Sequence, residues 1–124
     1  MSTISMQQDE QSPVPILWRT DLAKLVNTFI FNERLELEEL IIEKPLSQDI
    51  LEISRSNILD YPDDIGPLDD KSWNSSICIW TGNYWDVLVD ISTLDGETSD
   101  LVMHVKIIPN EKGFSIDPGL IYVP

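Results

Sequence analysis

The sequence predicts one α+β domain in which two helices pack on one face of an antiparallel meander of about four strands. Three observations carry that expectation. Between Leu22 and Ile58, apolar residues recur at three- and four-residue steps, the spacing of a buried helix face. From Ile77 onward they alternate with polar ones, the period of a half-buried strand. Gly82-Asn83, Asp95-Gly96 and the stretch Pro109–Gly113 punctuate that second region as hairpin turns do.

At 124 residues the chain suits one core rather than two. A composition 42% hydrophobic, with four Trp, three Tyr and three Phe, is too apolar for a disordered chain. Residues 1–15, rich in Gln and Ser and closed by Pro13 and Pro15, read as a mobile or loosely docked arm ahead of a domain at 16–124. Thr20 or Asp21 suits the start of the first helix, whose face is Leu22, Leu25, Val26, Phe29 and Ile30 and whose end falls near Asn32. Leu35–Ile42 alternates Leu with Glu and fits a helical turn or a short strand equally. After Pro45, Ser47 caps a second helix running to about Asn57, with Ile50, Leu51, Ser54 and Ile58 toward the core. Asp60–Lys71 follows as an acidic loop broken by Pro62, Gly66 and Pro67. Its Asp60, Asp63, Asp64, Asp69 and Asp70 invite calcium but lack the alternating ligands and turn glycine of an EF-hand, so no metal or other cofactor is assigned.

A glycine leading a two-residue loop at Gly82-Asn83 sets a type II′ turn and hence a register. Trp80 then faces Trp85, and Cys78 faces Val87. One sheet face carries Cys78, Trp80, Trp85, Val87, Val89 and Ile91, continued by Leu101, Met103, Val105 and Ile107; this is the expected core. Phe114–Asp117 with Leu120–Val123 makes an interrupted fourth strand. The opposite face is mixed, placing Ile77, Ile79, Tyr84, Asp86, Leu88 and Asp90 alongside Val102, His104 and Lys106.

Candidate binding residues come from these faces. Tyr84, Asp86, Asp90 and His104 lie on the mixed face, where Asp86 can orient the chain's only histidine. Lys106 is an alternative partner for that carboxylate. No Ser, Cys or metal-ligand set converges there, so no catalytic residue is assigned and a binding module is favoured over an enzyme. Trp80 and Trp85 can either anchor the core or, with Met103, wall a cavity for a small apolar ligand if the sheet curves. Cys78, the only cysteine, reads as a buried apolar side chain.

Formal net charge is −14, with 15 acidic and 6 basic residues in 1–73 and 7 and 2 in 74–124, so both halves are acidic and no tail explains the excess. That field disfavours nucleic acid and anionic membranes and attracts basic proteins. No run approaches the length of a membrane span, no secretory signal opens the chain, and the single cysteine allows no internal disulfide. A cytoplasmic location is the simplest expectation.

The stretch Trp80-Thr81-Gly82-Asn83-Tyr84-Trp85-Asp86-Val87-Leu88-Val89-Asp90-Ile91, then Ser99-Asp100-Leu101 and the final Val123-Pro124, resembles an uncharacterised family of small bacterial proteins. Its pattern is W-x-G-x-x-W-D-V-L-V-D-L, followed by S-D-L and a Y-V-P ending. Asp60-Tyr61 and Trp73 also fit, so the resemblance runs from about Trp18 onward; Ile91 stands at the family's usual Leu. It implies a bacterial, cytosolic protein and brings no reaction, cofactor or catalytic residue. Three functional readings follow. The first is an acidic module binding a basic protein, for example as an immunity or antitoxin-like inhibitor. The others are a ligand-binding or enzymatic cone with a Trp-lined pocket, and a homodimer built on Ile77, Ile79 and Leu88.

Overall fold

The computed structural model describes residues 11–31 and 46–124. Their elements are β1 (Gln11–Pro13), α1 (Ile16–Phe31), α2 (Gln48–Asp60), the one-turn α3 (Ser72–Ser75), β2 (Ile77–Trp80), β3 (Trp85–Ser92), β4 (Thr98–Asn110) and β5 (Gly113–Tyr122). The strands form one sheet in the order β1 to β5, every neighbour antiparallel. The α+β class and the meander are as expected, and the sheet has five strands rather than about four. The ambiguous segment 35–42 and residues 1–10 of the arm lie outside the described residues.

The extra strand comes from the arm. Gln11, Ser12 and Pro13 pair with Ile79, Cys78 and Ile77, and Val14 is buried. The Arg19 Nε donates to the Val14 carbonyl at 3.0 Å and the Cys78 thiol to that of Pro13 at 3.4 Å. Pro13 fits here because β1 is an edge strand, where a missing N–H costs no ladder bond.

α1 begins at Ile16, a turn before the expected Thr20 or Asp21, because Trp18 is buried and extends the apolar face of Leu22, Leu25, Val26 and Phe29. Its last turn is held by Arg55 of α2, whose guanidinium donates to the Phe29 carbonyl at 2.8 Å. The Ser47 hydroxyl accepts from the Ile50 N–H at 3.1 Å, the expected cap. α2 continues past Asn57 to Asp60 because Ile58 still packs on the core. No helix among the described residues is long and apolar enough to cross a membrane.

The hairpin register is as expected: Cys78 pairs with Val87 and Trp80 with Trp85, and Gly82 takes φ 108° in the turn. Cys78, Val87, Val89, Ile91, Leu101, Met103, Val105 and Ile107 join Leu22, Leu25, Val26 and Phe29 in one buried cluster. The helices therefore cover the face that the alternation singled out.

β5 is continuous through Pro118-Gly119 instead of broken. A register shift between Met103 and Val105 absorbs the extra residue. Gly119 is required there: a Cβ would overlap the His104 carbonyl oxygen. The free edge of β5 is capped by α2. The Asn57 Nδ2 donates to the Ile121 carbonyl at 2.9 Å, and the Ile121 N–H donates to the buried Ser54 hydroxyl at 3.0 Å, so neither group is left as a template for another strand.

The acidic loop is docked rather than free. Ser92 of β3 receives the Asp69 N–H at 2.9 Å and shares a 2.7 Å hydrogen bond with the buried Ser72 hydroxyl of α3. The Gly66 N–H donates to the Ser92 carbonyl at 3.1 Å, and Ile65 bridges to Thr93.

Candidate functional site

The six residues singled out in the sequence divide between the two faces of the sheet. Trp80 and Trp85 lie on the helix-covered side, with ring centroids 5.1 Å apart. The Trp85 ring meets that of Trp18 edge-on at 5.9 Å, and Trp85 packs against the buried cluster. Met103 is 0% exposed, so it borders no space large enough for a water molecule. Trp85 is half-buried and packs on that core, Trp80 is half-buried beside it, and Trp18, brought in by the first turn of α1, lies against the Trp85 ring.

Tyr84, Asp86, Asp90 and His104 share the opposite, open face. β3 and β4 pair Asp86 with Lys106, Leu88 with His104 and Asp90 with Val102, which sets two interlocked contacts side by side. The His104 Nε2 lies 3.0 Å from the Asp86 Oδ1, with the two side chains 37% and 30% exposed. A carboxylate can only accept, so Nε2 carries the proton of this hydrogen bond. The Lys106 ammonium sits 4.8 Å from the centroid of the Tyr84 ring. It thus makes a cation–π contact with Tyr84, while His104 takes the Asp86 carboxylate. At the other end of the face, Asp90 accepts from the Ser75 hydroxyl of α3. Its own N–H donates to Ser76 at 2.9 Å.

Ile77 and Leu88 face each other across β2 and β3, and Ile79 lies beside Asp86. All three are half-buried, and none belongs to the core cluster or packs against it. The face is an apolar strip flanked by carboxylates. Its polar groups are held by one another, which orients them without supplying a nucleophile or a ligand cage. Among the described residues, no group of three or more His, Cys, Asp or Glu side chains is arranged to hold a metal ion.

The lone Cys78 is 1% exposed, and burial raises its thiol pKa above the ordinary value. That is the opposite of an activated nucleophile.

Sequence reasoning missed the role of Tyr61. Its hydroxyl receives the Asp100 N–H at 3.0 Å and donates to the Asp100 carboxylate at 3.4 Å, joining the end of α2 to β4 across 39 residues. Asp60-Tyr61 and Ser99-Asp100 both stand in the family pattern, but a contact this long in sequence leaves no periodic signal.

Residues 26–124 match one protein-family model, described as a domain of unknown function (DUF7668). The match takes in the C-terminal end of α1 from residue 26 and everything after it in the described fold, but neither β1 nor the first part of α1. No curated protein and no solved structure matches the chain.

Proposed function

The chain belongs to the DUF7668 family, a domain of unknown function, and from the site itself we propose that it is a non-enzymatic module binding a basic protein through the open sheet face. The observation that carries the reading is the strip of Ile77, Ile79 and Leu88 left outside the core cluster and bordered by Asp86 and Asp90. An apolar centre excludes water while a carboxylate rim selects positive partners and speeds their approach. The net charge of −14 extends the same preference over the whole surface.

An inhibitor that covers the cationic site of a bacterial toxin is one concrete form of this chemistry, in the bacterial cytoplasm that the family resemblance implies. Against the enzymatic reading, the His104 ring and the Asp86 carboxylate bond to each other, and among the described residues no hydroxyl or thiol hydrogen-bonds to either side chain.

The test is affinity capture from a cell extract with immobilised chain, comparing wild type with Leu88→Lys and with Asp86→Lys. A basic protein retained at low salt, eluted by high salt and lost from both variants is the expected result. Retention of nothing at low salt, or retention that neither variant alters, would remove the proposal.

A further inference from the structure

A cleft of ≈ 490 Å³ opens where the C-terminal end of α2 meets the ends of β4 and β5. It is of the size of ordinary ligand pockets, about 300–1,000 Å³. Tyr61, Pro62, Tyr122, Leu101 and Val123 give it a mainly apolar lining, and Asp60 and Asp100 are the charged groups on its wall. Among the described residues, no Lys, Arg or His lines it.

Three sources of negative potential meet here. Asp60 is the last residue of α2, whose last turn has no basic side chain. A carboxylate at a helix C-terminus adds to the partial negative charge of the terminal carbonyls and is unfavourable unless a cation answers it. The Asp60 carboxylate has no hydrogen-bond or ion-pair partner among the described residues. Among the described residues, the Asp100 carboxylate is met only by the hydroxyl of Tyr61, a neutral donor. Tyr122 pairs with Val102, which pairs with Asp90, so Tyr122 lies on the same sheet face as Asp90.

We propose that this cleft takes the guanidinium group of an arginine side chain presented by the basic partner protein. This deepens the protein-binding reading and rests on it. Arginine suits the lining better than lysine. Its planar, weakly hydrated head stacks on tyrosine rings while its edge donates to carboxylates, whereas an ammonium holds its water more tightly. Leu59 and Val123, 76% and 56% exposed, stand next to Asp60 and Tyr122 in the chain and give the partner's surrounding surface an apolar contact.

The experiment is a titration of ¹⁵N-labelled full chain at low salt with N-acetyl-arginine amide, and with N-acetyl-citrulline amide as its neutral isostere. The arginine probe is expected to shift amide signals at Asn57–Tyr61, Asp100–Leu101 and Tyr122–Val123, and the citrulline probe to leave them in place. An Asp60→Asn/Asp100→Asn double variant should bind the arginine probe roughly tenfold more weakly, while Glu111→Gln, in the exposed turn between β4 and β5, binds it unchanged. Asp60→Asn alone should unfold no earlier than wild type, since it removes a carboxylate from a helix C-terminus; weaker binding is then not a folding defect.

Shifts spread over the whole acidic surface, equal binding of citrulline, or full binding by the double variant would overturn the proposal. If the probe binds the cleft but the double variant still retains the basic partner undiminished, the proposal fails and the protein-binding reading stands. Probe binding with no partner retained by the wild type would overturn both.

Discussion

Gly119 and Cys78 show how single residues are held by contacts that no local pattern announces. A Cβ at position 119 would collide with the backbone carbonyl of His104, which cannot swing aside as a side chain can. Gly119→Ala should therefore cost about 1–3 kcal/mol, typical of overpacking, read as a lower urea midpoint; an unchanged midpoint would show that the bulge relaxes freely. The Cys78 thiol, buried and with its pKa raised, keeps its proton to higher pH in the folded chain than in the unfolded one. The stability from this difference is fully present below the unfolded thiol's pKa and is lost as pH rises through the folded one. We expect native Cys78 to resist alkylation at neutral pH and to react at the rate of unfolding. A Cys78→Ala variant should lose less stability between neutral and alkaline pH than wild type. Rapid native labelling would contradict the buried geometry.

At the scale of elements, the free edge of β5 depends on α2. Ser54 and Asn57 satisfy the N–H and carbonyl of Ile121, so replacing either by Ala leaves a backbone group without its partner at a cost of about 1–3 kcal/mol. Asn57→Ala should lower the denaturation midpoint and speed hydrogen exchange in β5 relative to β3; uniform exchange would mean that α2 does not guard that edge. The acidic loop depends in the same way on Ser92, and Ser92→Ala should accelerate exchange at the Asp69 and Gly66 amides before the core strands respond. Both elements were partly legible in sequence. Ser54 stood on the apolar face of its helix, and the loop's Pro and Gly marked its ends. Their partners at Ile121 and Ser92 were not, because side-chain-to-backbone bonds across 64 or 23 residues follow no periodicity.

For the molecule as a whole, the net charge of −14 acts on stability as well as on partner choice. Like charges crowd together on folding, and salt shortens the screening length from about 30 Å at 0.01 M to about 8 Å at 0.15 M. Thermal midpoint should rise with added sodium chloride over that range; a fall would show that local pairs such as His104–Asp86 and Lys71–Glu97 outweigh the general repulsion. The Lys71–Glu97 pair is largely exposed and contributes little in any case. The same repulsion opposes self-association through Ile77, Ile79 and Leu88 and favours a basic partner for that strip.

The sequence by itself determined the α+β class, the hairpin register at Gly82-Asn83, the sheet face that becomes core, and the juxtaposition of Asp86 with His104. All four follow from periods of two or 3.6 residues and from one turn, which local chemistry enforces. Only the tertiary structure decided that the arm adds a strand, that Trp18 packs edge-on against Trp85, and that Asp60, Asp100 and Tyr122 border one cleft. These depend on segments far apart in the chain burying shared surface, and the free energy of such contacts is set by shape in three dimensions rather than by spacing along one.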